Sequence, residues 1–134
     1  MRLTGKAAIV TGAGRGIGRA IALALAREGC AVTLASRTRA ELEAVAAEVV
    51  GLGARALPLA ADVSAEAEAA RLVEETLRAF GRVDILVNNA GISIPFRDVV
   101  DLPLADWERI LRVNLTGAFL CARAPTRGCW TRLD

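Results

Sequence analysis

The 134-residue sequence contains no histidine and no tyrosine, and its only lysine is Lys6. Without histidine, the chain lacks the side chain that most often moves protons near neutral pH and binds metals. The three cysteines, Cys30, Cys121 and Cys129, show no metal-like spacing and fit the reduced thiols of an intracellular protein. We therefore expect no metal site and a cytoplasmic location.

Charge and hydropathy argue against two further classes of protein. The formal net charge of +2 is too small to indicate nucleic-acid binding. Charged residues interrupt the apolar runs before they reach the length of a membrane span, and residues 1–6 lack the apolar segment of a signal peptide. With 54% hydrophobic and 24% charged residues, the chain is expected to fold as one globular domain.

The most informative stretch is Thr11-Gly12-Ala13-Gly14-Arg15-Gly16-Ile17-Gly18. It follows the apolar run 7–10 and opens a segment with helical periodicity. A strand, a glycine-rich turn and a helix in this order predict a phosphate-binding site, because glycine permits close approach and the helix N-terminus attracts anions. A tight turn without a ligand is the alternative, but the strand before and the helix after favour a nucleotide.

Apolar strands alternate with amphipathic helices along the chain. Pro58 interrupts the third strand and suits a sheet edge, while Thr38 and Ser64 are expected to cap the second and third helices. The alternation predicts an α/β fold, a Rossmann-type doubly wound parallel sheet that is truncated after about four strands and the following helix. The predicted strands are 6–10, 31–35, 55–60 and 83–87, and the predicted helices begin near residues 16, 39, 65 and 105.

Four short motifs occur in the order and spacing of one enzyme family. They are the glycine-rich turn, Asp62-Val63, Asn88-Asn89-Ala90-Gly91 and Val113-Asn114. With these motifs the chain resembles the NADP-dependent short-chain dehydrogenases/reductases, and it looks most like their 3-oxoacyl-acyl-carrier-protein reductase branch. The resemblance extends from Lys6 to about Ala124, which corresponds to the N-terminal half of a family member.

The resemblance implies a role for each motif. The glycines would hold the pyrophosphate, Asp62-Val63 would contact the adenine, and the turn at 88–91 would line the ribose. Asn114, the one catalytic residue present, would hold a water of the proton relay through its backbone. Each motif alone also has a structural explanation: a strand-end cap, a plain turn, or a polar kink in a helix. The implied cofactor-binding residues are Thr11, Gly12, Arg15, Gly16, Ile17, Gly18, Ser36, Arg37, Asp62, Val63, Asn89, Ala90 and Gly91.

The end of the second strand distinguishes the two nicotinamide cofactors. A carboxylate there would accept hydrogen bonds from the ribose 2′-OH and repel a 2′-phosphate. This sequence has Ser36 and Arg37 instead, and a hydroxyl and a guanidinium suit the phosphate. Arg15 adds a second cation, whereas Arg39 is expected to be a solvated surface residue. The predicted cofactor is therefore NADP(H).

The family's proton-transfer residues have no counterpart in this sequence. The resemblance implies a tyrosine, a lysine four positions later and a serine, on a fifth strand and the next helix. Lys6 precedes the first strand, and Ser93 does not match the catalytic serine. We interpret residues 1–124 as the NADP(H)-binding portion of an oxidoreductase, inactive alone, whose carbonyl or alcohol substrate would bind only to a full-length form.

Two alternatives to this interpretation remain open. The chain is a non-catalytic fragment that binds NADP(H) or pairs with another subunit, or it is a frameshifted gene remnant. Residues 125–134 have neither helical nor strand periodicity and form an aberrant tail. Residues 84–88 would lie at an open sheet edge, and the last helix would expose an apolar stripe, so we expect self-association through both surfaces.

Overall fold

The structure, a computed structural model, describes residues 1–124. Its strands β1 (Ala7–Thr11), β2 (Ala31–Ser36), β3 (Ala56–Ala60) and β4 (Ile85–Val87) form one sheet in the order β3-β2-β1-β4. Every strand pair is parallel, which confirms the predicted Rossmann-type fold. The tail predicted at 125–134 lies outside the described residues.

The connections between the strands are helical. They are α1 (Gly16–Arg27), α2 (Arg39–Gly51) and α3 (Glu66–Phe80). After β4, a short 3₁₀ turn (Val99–Asp101) precedes a long helix made of α4 (Leu104–Leu111), a π-helical turn (Arg112–Thr116) and α5 (Gly117–Arg123). No helix within residues 1–124 combines the length and the apolar character that a membrane crossing requires.

Successive residues of the central strand β1 face opposite sides of the sheet. Val10 packs with residues of α1 and α2, whereas Ile9 packs against Val73 of α3. All five residues of β1 are buried. Because both faces of the strand are covered, the strand reads in the sequence as a continuous apolar run rather than an alternating one.

The two edge strands agree with the sequence. β3 is one edge and carries Pro58, which pairs in register with Leu34 of β2. β4 is the other edge, where Ile85–Val87 pairs only with β1 among the described residues. The predicted edge position of the fourth strand is therefore confirmed, whereas association through it stays a prediction.

Thr38 occupies the N-cap position of α2 as predicted, but neither Thr38 nor Ser64 caps its helix with its side chain. Thr38 precedes α2, but its side chain makes no capping hydrogen bond, and its backbone N–H donates to Ser36 Oγ at 3.2 Å. The residue before α3 is Ala65, not Ser64. The Ser64 hydroxyl and backbone N–H both donate to Asp62 Oδ1, at 2.6 and 2.9 Å. The Ser64 hydroxyl therefore bonds to the Asp62 carboxylate instead of capping α3.

A buried pair of hydroxyls joins β2 to α3. Thr33 Oγ1 and Thr76 Oγ1 lie 2.7 Å apart, and both residues are fully buried. Thr76 Oγ1 donates to the Leu72 carbonyl at 2.6 Å. Because a hydroxyl has one proton, Thr33 must be the donor to Thr76.

Thr76→Val should lower the free energy of unfolding by about 1–3 kcal/mol, because it leaves the Thr33 hydroxyl buried without its acceptor. The double variant Thr33→Val/Thr76→Val should lose less than Thr76→Val alone, since no hydroxyl is then stranded. Urea unfolding followed by circular dichroism measures these two variants and the single variant Thr33→Val. A double variant that loses the sum of the two single losses would contradict this pairing.

Candidate functional site

The glycine-rich turn between β1 and α1 forms the centre of the candidate site. Gly12 and Gly16 have φ angles of +63° and +57°, values that side-chain-bearing residues rarely adopt. A Cβ on Gly16 would meet no atom within 4 Å, so the backbone there is open to a close ligand. The first N–H groups of α1 have no acceptor within the helix, as at any helix N-terminus.

Gly18 is required for a different reason. A Cβ at this position would overlap the carbonyl oxygen of Gly12 and would lie 2.6 Å from Asn89 Nδ2. Helix α1 therefore packs backbone against backbone on the turn that precedes it. This contact fixes the direction in which the helix N-terminus points.

Thr11 and Asn89 join the turn to the end of β4. Thr11 Oγ1 accepts hydrogen bonds from the backbone N–H groups of Asn89 and Ala90, each at 3.0 Å, and donates to the Val87 carbonyl at 3.3 Å. Asn89 Nδ2 donates to the carbonyls of Thr11 and Gly12 at 3.1 and 3.2 Å. These bonds hold the segment after β4 against the glycine-rich turn.

Asn114 holds the next part of the same segment. Its side chain accepts from the Ile92 N–H at 2.7 Å and donates to the Ile92 carbonyl at 2.9 Å. Asn114 lies in the π-helical turn between α4 and α5, a feature that often accompanies functional sites. The helix is thus irregular at this residue, and the role predicted for the Asn114 backbone in a proton relay stays a prediction.

A cleft of about 390 Å³ opens at the carboxyl ends of the strands. It lies where the strand order reverses between β1 and β4, the usual ligand position in open parallel sheets. All the predicted cofactor-binding residues line it except Thr11 and Gly18. Thr11 instead bonds to the segment after β4, and Gly18 packs against the Gly12 carbonyl, so their part in cofactor binding stays a prediction.

Comparison with known proteins identifies the family. A model of the family described as short chain dehydrogenase matches residues 6–129. The chain belongs to the short-chain dehydrogenase family.

Individual relatives agree with this assignment. A 3-oxoacyl-[acyl-carrier-protein] reductase of Synechocystis sp. is 42% identical over 128 residues, which cover 93% of this chain and 51% of the relative. A 3-ketoacyl-ACP reductase structure from Sinorhizobium meliloti is 46% identical, with a TM-score of 0.84, over 87% of this chain and 46% of that one. NAD+-bound xylitol dehydrogenase is 41% identical, with a TM-score of 0.91, over 95% and 49%.

The chain spans about half the length of the curated relatives that it matches, as the 51% coverage of the Synechocystis reductase illustrates. The matched portion carries the glycine-rich turn and the cleft. This confirms the resemblance to the N-terminal half of a short-chain dehydrogenase.

Asp62 is held as a carboxylate at the edge of the cleft. The hydrogen bond from the Ser64 hydroxyl lowers the pKa of Asp62, against the opposing effect of burial, and the Ser64 N–H and the guanidinium groups of Arg37 and Arg112 lower it further. A carboxylate that is already bonded to Ser64 has a fixed orientation. Asp62 therefore offers its remaining oxygen lone pairs in a defined direction.

Three arginines near the cleft differ in their contacts. Arg15 and Arg37 are exposed, line the cleft and make no ion pair within residues 1–124. Arg39 lies outside the cleft lining and donates to Glu43 Oε1 at 2.9 Å, an exposed pair one turn apart on α2. The expectation that Arg39 is a surface residue agrees with this geometry.

Glu41 is a residue of the cleft that no sequence motif predicted. This residue lines the cleft, and its Oε2 atom lies 2.9 Å from the position that a Cβ on Gly14 would take. Its spacing from Thr38 is that of a capping box, a pattern that predicts a bond back to the Thr38 N–H. That N–H donates to Ser36 instead. The spacing therefore suggested a helix cap and did not indicate that the Glu41 carboxylate faces the cleft.

Gly18→Ala should lower the free energy of unfolding by about 1–3 kcal/mol, because the added methyl group forces α1 away from the Gly12 carbonyl. Gly51→Ala is the matched control, since Gly51 is the last residue of α2 and has open space at its Cβ position; it should be neutral or stabilising by up to about 1 kcal/mol. Thermal and urea unfolding measure both variants. Equal stability of the two would contradict the backbone contact.

Proposed function

We propose that the cleft binds a nicotinamide dinucleotide and that NADP(H) is the preferred form. The observation that carries this proposal is the juxtaposition of an open glycine-rich turn and the N-terminus of α1 at the carboxyl edge of a parallel sheet. The exposed backbone at Gly16 would hold the pyrophosphate, because its φ of +57° and the open space around it admit a close anion. Members of this family use such a dinucleotide.

The adenosine half of the cofactor would lie on the β2 and β3 side of the turn. Asp62 and Val63 line the cleft after β3 and would contact the adenine. On the other side of the turn, Asn89, Ala90 and Gly91 would line the ribose of the nicotinamide half. Ile17 lines the mouth of the cleft at the start of α1 and is 73% exposed, so that a bound cofactor would cover it. These roles follow the family motifs residue by residue.

Selection of NADP(H) would depend on Arg15 and Arg37, which make no ion pair in the described part of the chain. Ser36 ends β2, the position where the family's NAD-binding members place a carboxylate. Arg37 and Arg15 line the cleft beside it and would bind the 2′-phosphate with charge-assisted hydrogen bonds. Xylitol dehydrogenase was solved with NAD+, so membership of the family does not by itself select NADP(H).

The proposed reaction class is that of the family, transfer of a hydride between the nicotinamide and a carbonyl or alcohol. The bound cofactor would supply the hydride. This chain would supply binding, orientation and the backbone of Asn114, but it contains no tyrosine or histidine that could act as the proton donor. We therefore propose that the 134-residue chain binds the cofactor without turnover.

NADPH at about 100 times its dissociation constant should stabilise the chain by about 2.7 kcal/mol and raise the melting temperature by on the order of 10 °C. NADPH oxidation with an acetoacetyl thioester should stay at the level of a blank without protein. Differential scanning fluorimetry and absorbance at the nicotinamide band measure the two. A melting temperature that neither NADPH nor NADH changes would contradict the binding proposal. NADPH oxidation above the blank would contradict the proposal that the chain binds the cofactor without turnover.

Arg37→Asp extends this test to cofactor choice. It should weaken NADPH about ten- to hundredfold, because an anion replaces the cation at the 2′-phosphate, and should change NADH only a few-fold. Arg39→Asp is the control, since Arg39 carries the same charge outside the cleft lining. Equal losses for NADPH and NADH in Arg37→Asp would remove the assignment of NADP(H).

A second candidate function is pairing with another subunit. Trp107, Leu115 and Phe119 follow one another at helical spacing on the long helix and are 50%, 64% and 55% exposed. The open edge of β4 adds unpaired backbone groups. Such a contiguous apolar surface is typical of protein interfaces.

The molecular mass from light scattering should rise with protein concentration, and Leu115→Glu should shift the chain towards the monomer because it places a charge in the apolar surface. Val50→Glu is the matched control, since Val50 is 60% exposed on α2, away from the long helix. A monomer at all concentrations, or an equal effect of both variants, would contradict pairing through this helix.

A further inference from the structure

Glu41 places a carboxylate at the adenosine end of the cleft. It is the third residue of α2 and is half-buried. Its Oε2 atom lies 2.9 Å, and its Cβ atom 3.1 Å, from the position that a Cβ on Gly14 would take; Ser36 Oγ lies 3.3 Å from the same point. The carboxylate therefore rests against the glycine-rich turn, beside the hydroxyl that ends β2.

Within residues 1–124, no hydrogen bond or ion pair engages this carboxylate. The Thr38 N–H, its expected capping partner, donates to Ser36 Oγ instead. The neighbouring acid on the same helix, Glu43, is paired with Arg39. A partly desolvated carboxylate that faces a cleft without a donor has its acceptor oxygens available to a ligand.

The position of Glu41 determines which ligand group it would meet. In parallel-sheet dinucleotide sites, the residue at the end of the second strand contacts the 2′ position of the adenosine ribose. Here that residue is Ser36, and Glu41 lies next to it. A carboxylate accepts a hydrogen bond from a ribose hydroxyl, but it repels a phosphate group carrying up to two negative charges.

We infer that Glu41 is a specificity-determining residue that opposes Arg15 and Arg37: it favours the 2′-hydroxyl of NAD(H) and disfavours the 2′-phosphate of NADP(H). This inference rests on the proposed function of the cleft. The preference of the chain is then a balance between two cations and one carboxylate, and NADP(H) is preferred by less than the arginines alone would give.

A purely structural role for Glu41 makes a different prediction. A carboxylate in the first turn of a helix stabilises the helix through its dipole, and the side chain packs on Gly14. Loss of these contacts would lower stability and weaken both cofactors alike. The ratio of the two dissociation constants, and not either constant alone, therefore separates the two roles.

Glu41→Gln in the full 134-residue chain tests the inference, with NADPH and NADH titrated by calorimetry. The variant should bind NADPH more tightly and NADH slightly more weakly, so that the preference for NADPH rises about tenfold. Adenosine 2′,5′-bisphosphate should gain affinity like NADPH, because it carries the same 2′-phosphate. Glu74→Gln makes the same change of charge on an exposed residue of α3, outside the cleft, and should leave the ratio unchanged.

The outcomes distinguish this inference from the proposal on which it rests. If the wild-type chain binds neither dinucleotide, the proposed function fails and the inference fails with it. If the wild-type chain binds them but Glu41→Gln keeps the wild-type ratio within about twofold, only the inference is overturned. Glu41→Asp retains the charge and should keep a ratio nearer to wild type than Glu41→Gln, which guards against a loss of folding in the first variant.

Discussion

The contact between Gly18 and the carbonyl of Gly12 constrains the rest of the site. Helix α1 can lie this close to the end of β1 only because Gly18 carries no side chain. The approach sets the direction of the helix axis, and hence the direction in which its first N–H groups and the positive end of its dipole point. Asn89 Nδ2 donates to the same carbonyl. The Gly12 oxygen therefore contacts both helix α1 and the segment after β4.

Much of the fold could be predicted because both faces of the central strands are covered. Burial on two sides makes the strands continuous apolar runs. Pro58 indicated the sheet edge, because proline has no backbone N–H to donate to a neighbouring strand. The helix starts were less predictable. Ser64 has the residue type of a cap, but Asp62 lies two positions earlier and accepts from its hydroxyl. Sequence spacing alone does not show whether the Ser64 hydroxyl will bond to the Asp62 carboxylate or cap the helix that follows.

The same limitation explains which parts of the site the sequence revealed. The glycines, Asn89 and Asp62 occur in contiguous motifs, so their order was sufficient to bring them to one edge of the sheet. Glu41 belongs to no such motif, and its spacing from Thr38 suggested a helix cap, whereas in the structure the Thr38 N–H donates to Ser36 and Glu41 lines the cleft. Arg37 and Arg39 are the same residue type, but the sequence already assigned them different environments, and in the structure Arg37 lines the cleft whereas Arg39 pairs with Glu43.

In the proposed function, cofactor binding and proton transfer would depend on different parts of this architecture. Every hydrogen bond that shapes the cleft described above, from Thr11, Ser64, Asn89 and Asn114, is made between residues of 1–124. These bonds shape the side of the cleft where the pyrophosphate and the adenosine are proposed to bind. The proton donor of the proposed reaction, in contrast, has no counterpart among the tyrosines and histidines of this sequence, because it contains none. A chain of this composition can thus form the cleft proposed for the dinucleotide although it encodes no tyrosine for the proposed reaction.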